Sequence, residues 1–392
     1  MKEVFIITAK RTPIGSFLGT LANHTAPELG AIALKEAYTS AALNAKFINS
    51  VYMGNVLSAN LGQAPARQAA KLAGIPNETD CTTINKVCSS GLKAICIGAQ
   101  QIQLSLEDIV AAGGMESMSN TPHYTTIRKA GKLRNEILVD GLLRDGLTDA
   151  YNNSHMGHAA EMCAAKYEIS REQQDEFALR SYEKAVTALK SGKFNNEIVS
   201  VTIKSKTGES EFYEDEDVAK LIPEKVSKLK PAFVEDGTIT AANASNINDG
   251  AAAVLLGSEK AVKEFNLKPL AKIIAYADAA QEPEWFTTSP SIAIKKALQQ
   301  AGLQISDIDF FEINEAYAAV VLANQKLLDI PAHRINMYGG AVALGHPLGA
   351  SGARILCTLT SVLQQEGGKY GIAAICNGGG GATAMIIENL HS

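Results

Sequence analysis

The sequence predicts an α/β protein in which helices cover a mostly parallel sheet. Strand-like apolar runs alternate with helical patterns at both ends of the chain. Between them, from about 118 to 248, lies a stretch of different texture, with two long polar helices and an acidic then basic run, which reads as an insertion. Both ends also contain strand-to-helix junctions that carry chemically reactive side chains, the place where functional groups gather in α/β folds.

In chain order, strands are expected over 4–9, 51–55, 82–85 and 108–112, with helices over 27–44, 64–73 and 89–104. The third helix shows the pattern most clearly, since Leu92, Ile95, Cys96 and Ala99 fall at i, i+3, i+4 and i+7 and form one face. In the insertion, helices are expected around 157–168 and 171–191, followed by the charged run 209–230. Alternation resumes from about 269, with strands over 270–276, 309–313 and 371–376 and a last strand from Ala382. The two α/β regions read as a duplication, in which 83–88 entering a helix matches 310–314, and 108–114 matches 371–379.

A chain of 392 residues exceeds the size at which one core stops growing, so two or more domains are expected. Hydrophobic residues at 46% and charged residues at 20% permit a large core and exclude a disordered chain. A net charge of -5 with no Lys/Arg run argues against nucleic-acid binding. Six cysteines without a CxxC pair or a Cys/His cluster suggest neither a disulfide scaffold nor a zinc site, and fit a reducing compartment. The apolar run 4–8 is too short for a signal core, and no stretch is long enough to cross a bilayer. A cytoplasmic protein is expected, or a mitochondrial one if a transit peptide has been removed.

Cys88, in Asn85-Lys86-Val87-Cys88-Ser89-Ser90-Gly91, sits at an expected helix start, where unpaired N–H groups and the helix dipole favour thiolate. Taken alone, it equally suits a buried structural cysteine. His346 lies in Gly345-His346-Pro347, as a base or as a turn histidine. Cys376 opens Cys376-Asn377-Gly378-Gly379-Gly380-Gly381, and Asn314-Glu315-Ala316 follows the apolar run 310–313.

Together these four segments, with Arg11-Thr12-Pro13-Ile14-Gly15 and Gly113-Gly114-Met115-Glu116-Ser117-Met118, closely resemble the thiolase family over essentially the whole chain. The resemblance implies a duplicated α/β/α layered fold with an inserted loop domain: an N-terminal half over 1–117 plus 249–268, the insertion over 118–248, and a C-terminal half over 269–392. It implies an acetyl-CoA C-acetyltransferase that joins two acetyl-CoA into acetoacetyl-CoA and free coenzyme A, reversibly, through an acetyl-cysteine. In it Cys88 is the nucleophile, His346 its base, Cys376 the base of the second step, and Asn314 the holder of a water beside the enolate. The N–H groups of Cys88 and Gly378 form an oxyanion site. A broader-range 3-ketoacyl-CoA thiolase and a non-catalytic acyl carrier remain alternatives; a carrier would be expected to lack Cys88, His346 or Cys376, and all three are present.

Coenzyme A is then substrate and product, with no cofactor tightly bound. Ser245 matches the pantetheine contact, Lys220 and Lys225 are the phosphate candidates, and Tyr182, His155, Met156 and Phe286 also belong to the binding region. His155-Met156-Gly157 and Glu282-Pro283-Glu284-Trp285-Phe286 resemble the mitochondrial-type subgroup, some members of which bind potassium. The matching positions here are Tyr182, Ala241, Ala242, Ala244 and Val342. Ile222 replaces a usual acidic residue and Thr287 a usual proline. The family forms dimers and often tetramers, using the segment after Gly114, so a homotetramer is expected, with neither nucleic acid nor membrane as partner.

Overall fold

The computed structural model describes every residue except Met1, Thr126, residues 128–134, Thr207 and Ser392. Residues 128–134, part of the stretch after Gly114 implicated above in assembly, therefore lie outside the described residues. The first half supplies β1 (Val4–Arg11), β2 (Ser50–Gly54), β3 (Asp80–Ile84), β4 (Ile109–Ser117) and β5 (Asn248–Ser258). The second supplies β6 (Ala271–Ala280), β7 (Phe310–Ile313), β8 (Tyr370–Asn377) and β9 (Gly381–Asn389). Side by side they run β7-β8-β9-β6-β1-β5-β4-β2-β3.

This sheet is mixed, which corrects the expectation of a mostly parallel one. β2 pairs in parallel with β3 and β4, as does β7 with β8. The pairs β1–β5, β5–β4, β6–β9, β9–β8 and β1–β6 are antiparallel. A parallel neighbour needs a crossover, but β9 turns straight back from β8, and β5 returns from the insertion.

The helices that cover the sheet and position the site are α1 (Ala26–Thr39), α2 (Pro65–Leu72), α3 (Ser90–Gln103), α4 (Met156–Lys166), α5 (Arg171–Lys190), α6 (Ser289–Ala301), α7 (Ala318–Leu328), α8 (Ala341–Leu344) and α9 (Leu348–Glu366). α1 and α2 pack on the outer face of the first half, and α6 and α7 on that of the second. Between the two halves lie α3 and α9, whose Leu92, Ile95, Ile355 and Leu359 share one core with Val110 and Leu256 on one side and Ile375 and Met385 on the other. The result is α/β/α/β/α layering. The two middle helices cross at their first turns because glycine lets them: a Cβ on Gly91 would lie 2.8 Å from the Gly349 carbonyl, and one on Gly352 would lie 2.5 Å from the Leu92 nitrogen.

The duplication is real in topology but not where the sequence match put it. Outward from the centre, β1-β5-β4-β2 corresponds to β6-β9-β8-β7. The match of 108–114 with 371–379 therefore pairs equivalent strands, β4 with β8. That of 83–88 with 310–314 does not, since β7 takes the place of β2. The counterpart of β3 is only a bridge at Ile335 beside Phe311, so the junction equivalent to Cys88 is the one that carries His346 into α9.

Glycine and alanine cut one expected strand short and hid another. β4 continues through Gly113 and Gly114, where a Cβ would lie 2.0 Å from the carbonyls of Ala252 and Gly349; close packing, not a turn, requires glycine there. β5, Asn-Asp-Gly-Ala-Ala-Ala-Val-Leu-Leu-Gly-Ser, begins like a turn, yet is wholly buried. The first helix ends at Thr39 rather than 44. The insertion is tied down by Arg11 of β1, which bonds Glu197 at 2.5 Å and Asp215 at 2.7 and 2.9 Å.

Candidate active site

Cys88 sits on a strained turn between β3 and α3. Val87, β-branched, has φ 47°, a region in which such residues are rarely found. Local bonds hold it: Val87 N–H donates to Asn85 Oδ1 at 3.0 Å, Ser90 N–H to the Val87 carbonyl at 3.0 Å, and Lys86 N–H to Ser90 Oγ at 2.8 Å. Such strain costs about 1–3 kcal/mol and persists where the surroundings over-determine it. The helix begins at Ser90, two residues past the cysteine. Burial outweighs any dipole effect and pushes the Cys88 thiol up to about 12, although the N–H groups of Gly378 and of Cys88 itself point to the sulfur and work the other way. Enclosure thus favours the thiol of this cysteine, against the expectation that the helix start favours thiolate.

His346 is 5% exposed and reaches the same place from the turn between α8 and α9. Its ring Nδ1 lies 2.6 Å from Ser351 Oγ, and that hydroxyl donates to the Pro347 carbonyl at 2.9 Å. With its proton spent there, Ser351 can only accept, so Nδ1 carries the hydrogen and Nε2 keeps its lone pair. Nε2 has no protein partner among the described residues. Burial first, then the charge of Arg354, lowers the imidazole to about 3, which keeps it neutral.

Cys376 ends β8 beside the first cysteine: burial, then Cys88, holds its thiol well above the ordinary range. Asn314, 1% exposed, has neither Oδ1 nor Nδ2 bonded to protein among the described residues, as suits a side chain that serves a ligand or water. Gly378 does not need glycine for its backbone. A Cβ there would meet only Met156 Sδ at 3.5 Å and Val87 Cγ1 at 3.6 Å, whereas Gly379 and Gly380 have φ of 82° and 85° and a Cβ on Gly380 would lie 2.1 Å from the Gln281 carbonyl.

An apolar cavity of about 240 Å³ joins these groups: Cys88, His346 and Gly378 line it with His155, Met156, Phe286, Ala244 and Ser245. A wider groove of about 670 Å³ shares Ala244, Ser245 and Phe233 with it and carries Tyr182, Lys220, Ile222, Lys225, Ala241 and Ala242. Of the site residues expected from sequence, all but Cys376, Asn314 and Val342 line these two adjoining spaces; Cys376 packs with Met156, Phe286 and Tyr317 in one buried cluster. Val342 lines neither space but packs with Tyr182 in one buried cluster. The Lys220 ammonium is held by Ser16, by Asp217 at 3.3 Å and by Glu216 at 3.8 Å, which leaves Lys225 the better placed of the two to meet an anion.

Sequence reasoning missed Tyr317, whose buried hydroxyl lies near both Cys88 and Cys376 and whose ring lines the cavity. It also missed Ser351, visible as a hydroxyl in the first turn after His346, and Glu315, which accepts from Ser181 Oγ, Asn336 Nδ2 and Val342 N–H. Chemically, a thiol beside an unbonded imidazole nitrogen, facing two N–H donors, can take an acyl group from a thioester. A second thiol within the same enclosure can move a proton at the neighbouring carbon.

Residues 4–260 match the family model for the N-terminal domain of thiolase, and residues 267–389 that for its C-terminal domain. The chain is 54% identical to an acetyl-CoA acetyltransferase of Saccharomyces cerevisiae over 396 residues, covering 99% of this chain and 100% of the relative. It is 52% identical to a cytosolic acetyl-CoA acetyltransferase of Gibberella zeae, covering 100% and 99%. Its fold is similar to the Acat5 thiolase of Ascaris suum, solved in complex with coenzyme A, at TM-score 0.94 and 49% identity, covering 99% of this chain and 100% of that one.

Proposed function

The chain belongs to the thiolase family and is an acyltransferase, and from that premise we propose that its cavity carries out the acetyl-CoA C-acetyltransferase reaction by a two-step exchange. In the first step His346 Nε2 takes the Cys88 proton as the sulfur attacks the acetyl thioester. The oxyanion forms against the N–H groups of Cys88 and Gly378, and coenzyme A leaves as its thiol, taking the proton back from His346. Each such donor contributes about 3 kcal/mol to a transition state of this kind. In the second step Cys376, once deprotonated, draws a proton from the methyl of another acetyl-CoA, and the enolate, held near Asn314 and His346, attacks acetyl-Cys88. Acetoacetyl-CoA is released, and the Cys88 sulfur, leaving as thiolate, takes the proton that Cys376 drew from the methyl, which restores the thiol of Cys88.

The observation that carries this reading is the single cavity shared by Cys88, His346 and Gly378, opening to a groove with Ser245 at the junction. Its modest volume, with Phe286 and Met156 in its wall, favours short acyl groups over long-chain 3-ketoacyl substrates. Coenzyme A-dependent cleavage of acetoacetyl-CoA, followed by the loss of its enolate absorbance, tests the activity. No cleavage would leave the non-catalytic carrier.

We propose Ser245 for the pantetheine arm and Lys225, with Lys220 secondary, for the phosphates. The domain limits proposed are 1–117 plus 249–268, 118–248 and 269–392. Tyr182, Ala241, Ala242 and Ala244 line the groove and Val342 packs with Tyr182; the Tyr182 hydroxyl and the backbone carbonyls of the others are the oxygen donors proposed for potassium. Bound there, the ion would supply a fixed positive charge that stiffens the loop carrying Ser245. A cytoplasmic homotetramer is the assembly and location proposed; no helix among the described residues is long and apolar enough to cross a membrane.

A further inference from the structure

Asn248, the first residue of β5, is fully buried, and both polar atoms of its side chain are in use. Its Oδ1 accepts the backbone N–H of His346 at 2.9 Å. Its Nδ2 donates to the Gly15 carbonyl at 3.0 Å and to Asp217 Oδ2 at 2.8 Å. The amide also presses on the turn that carries the histidine: Gly345 has φ 105°, and a Cβ there would lie 2.5 Å from Asn248 Oδ1.

Asp217 carries the contact outward. It is buried yet lines the wider groove, and its carboxylate also accepts from Asn246 Nδ2 at 3.1 Å, from the Ser16 hydroxyl and from the Lys220 ammonium at 3.3 Å. Lys220 lines the same groove with its side chain 54% exposed. A chain of polar contacts thus runs from an exposed ammonium, through one buried carboxylate and one buried amide, to the backbone of His346. Lys220 and Asn248 share the charge of Asp217. An anion that engages Lys220 draws the ammonium off, and the carboxylate then acts on Asn248 more fully. Hydrogen bonds in series polarise one another, so a stronger pull on Nδ2 makes Oδ1 a better acceptor for the His346 N–H.

We propose that Asn248 is a positioning residue for His346 and that, through Asp217, it ties the grip on that residue to an anion seated at Lys220, the phosphate end of the coenzyme. This rests on the readings of His346 as the base of the first step and of Lys220 as a phosphate contact. The part of the coenzyme remote from the reacting atoms then raises the rate at the thioester, and not only the affinity.

The test compares acetyl-CoA with acetyl-pantetheine, which has the same thioester and arm but no phosphate, in single-turnover acetylation of Cys88 at saturating thioester. The wild type should be at least about tenfold faster with acetyl-CoA. Asn248→Ala cuts the link, and should bring the acetyl-CoA rate down to within about twofold of the acetyl-pantetheine rate. Lys220→Met should close the gap from the other side. With Asp217 no longer shared, acetyl-pantetheine should speed up towards the acetyl-CoA rate, while acetyl-CoA needs a higher concentration to reach half its maximal rate. If Asn248→Ala does not fold, Asp217→Asn, which keeps an acceptor for Asn248 without the charge, should likewise shrink the ratio. A merely structural Asn248 would lower both rates by one factor. That result, a wild-type ratio near one, or an unmoved ratio in Lys220→Met overturns the proposal. The premises are read separately: His346→Ala that acetylates Cys88 at the wild-type rate refutes the base, and Lys220→Met with an unchanged response to acetyl-CoA concentration refutes the phosphate contact. An unmoved ratio with both premises intact refutes the coupling alone.

Discussion

Glu315 Oε2 accepts the backbone N–H of Val342 at 3.0 Å, which ties the residue next to Asn314 to the short helix that delivers His346. The same carboxylate takes Ser181 Oγ at 2.8 Å and Asn336 Nδ2 at 2.8 Å, so three elements converge on one buried charge. Glu315→Ala leaves these buried donors unpaired, at about 1–3 kcal/mol each. We expect a stability loss of about 3 kcal/mol or more by denaturant melting and a fall of at least about tenfold in kcat, as the His346 turn loses its register with Asn314. Glu315→Gln, which keeps one acceptor, should lie between.

Ser351→Ala frees the His346 tautomer, which the hydroxyl now fixes with the lone pair on Nε2. kcat should drop about tenfold to a hundredfold with KM little changed. The imidazole is lowered to about 3, so its basic form persists above that value. The wild-type profile should therefore show no histidine limb between pH 5 and 7, and a limb near 6.5 would contradict the assigned environment.

The glycines after Cys376 separate into two kinds. Gly380→Ala places a Cβ 2.1 Å from the Gln281 carbonyl at φ 85°, and should yield a poorly folded protein. Gly378→Ala meets only ordinary contacts at 3.5 and 3.6 Å and should melt within about 1 kcal/mol of the wild type, yet lose about a hundredfold in kcat because the methyl stands beside an oxyanion donor.

Potassium should accelerate acetoacetyl-CoA cleavage relative to sodium at equal ionic strength, and a 2-methyl branched acetoacetyl thioester should be cleaved, since one methyl changes binding by about 1–3 kcal/mol. Equal rates in both salts would remove the ion from the Tyr182 groove. A branched substrate more than about a thousandfold poorer would mean that Phe286, with Thr287 behind it, closes the pocket.

Much of this was legible because reactive residues lie at element junctions. Cys88, His346, Cys376 and Asn314 stand out as unusual side chains beside glycine or a strand end; the first three come together, and Asn314 is buried with its amide unbonded among the described residues. What was hidden depends on contacts distant in sequence. The expected strand 108–112 stops short of Gly113 and Gly114 because the pressure of Ala252 and Gly349 on them is invisible in the chain. The strand from Asn248 lacks alternation because both its faces are covered. The protonation of Cys88 follows from enclosure by the second half, which no local pattern near Val87 reports.

Cys376→Ala tests the division of labour between the two thiols most directly. Quenched incubation of the variant with labelled acetyl-CoA, followed by peptide mapping, should find the acetyl group on Cys88 at near wild-type yield, while carbon–carbon bond formation falls by about 10³-fold or more. A variant that cannot acetylate Cys88, or a wild-type label found on Cys376, would contradict the assignment of nucleophile and base.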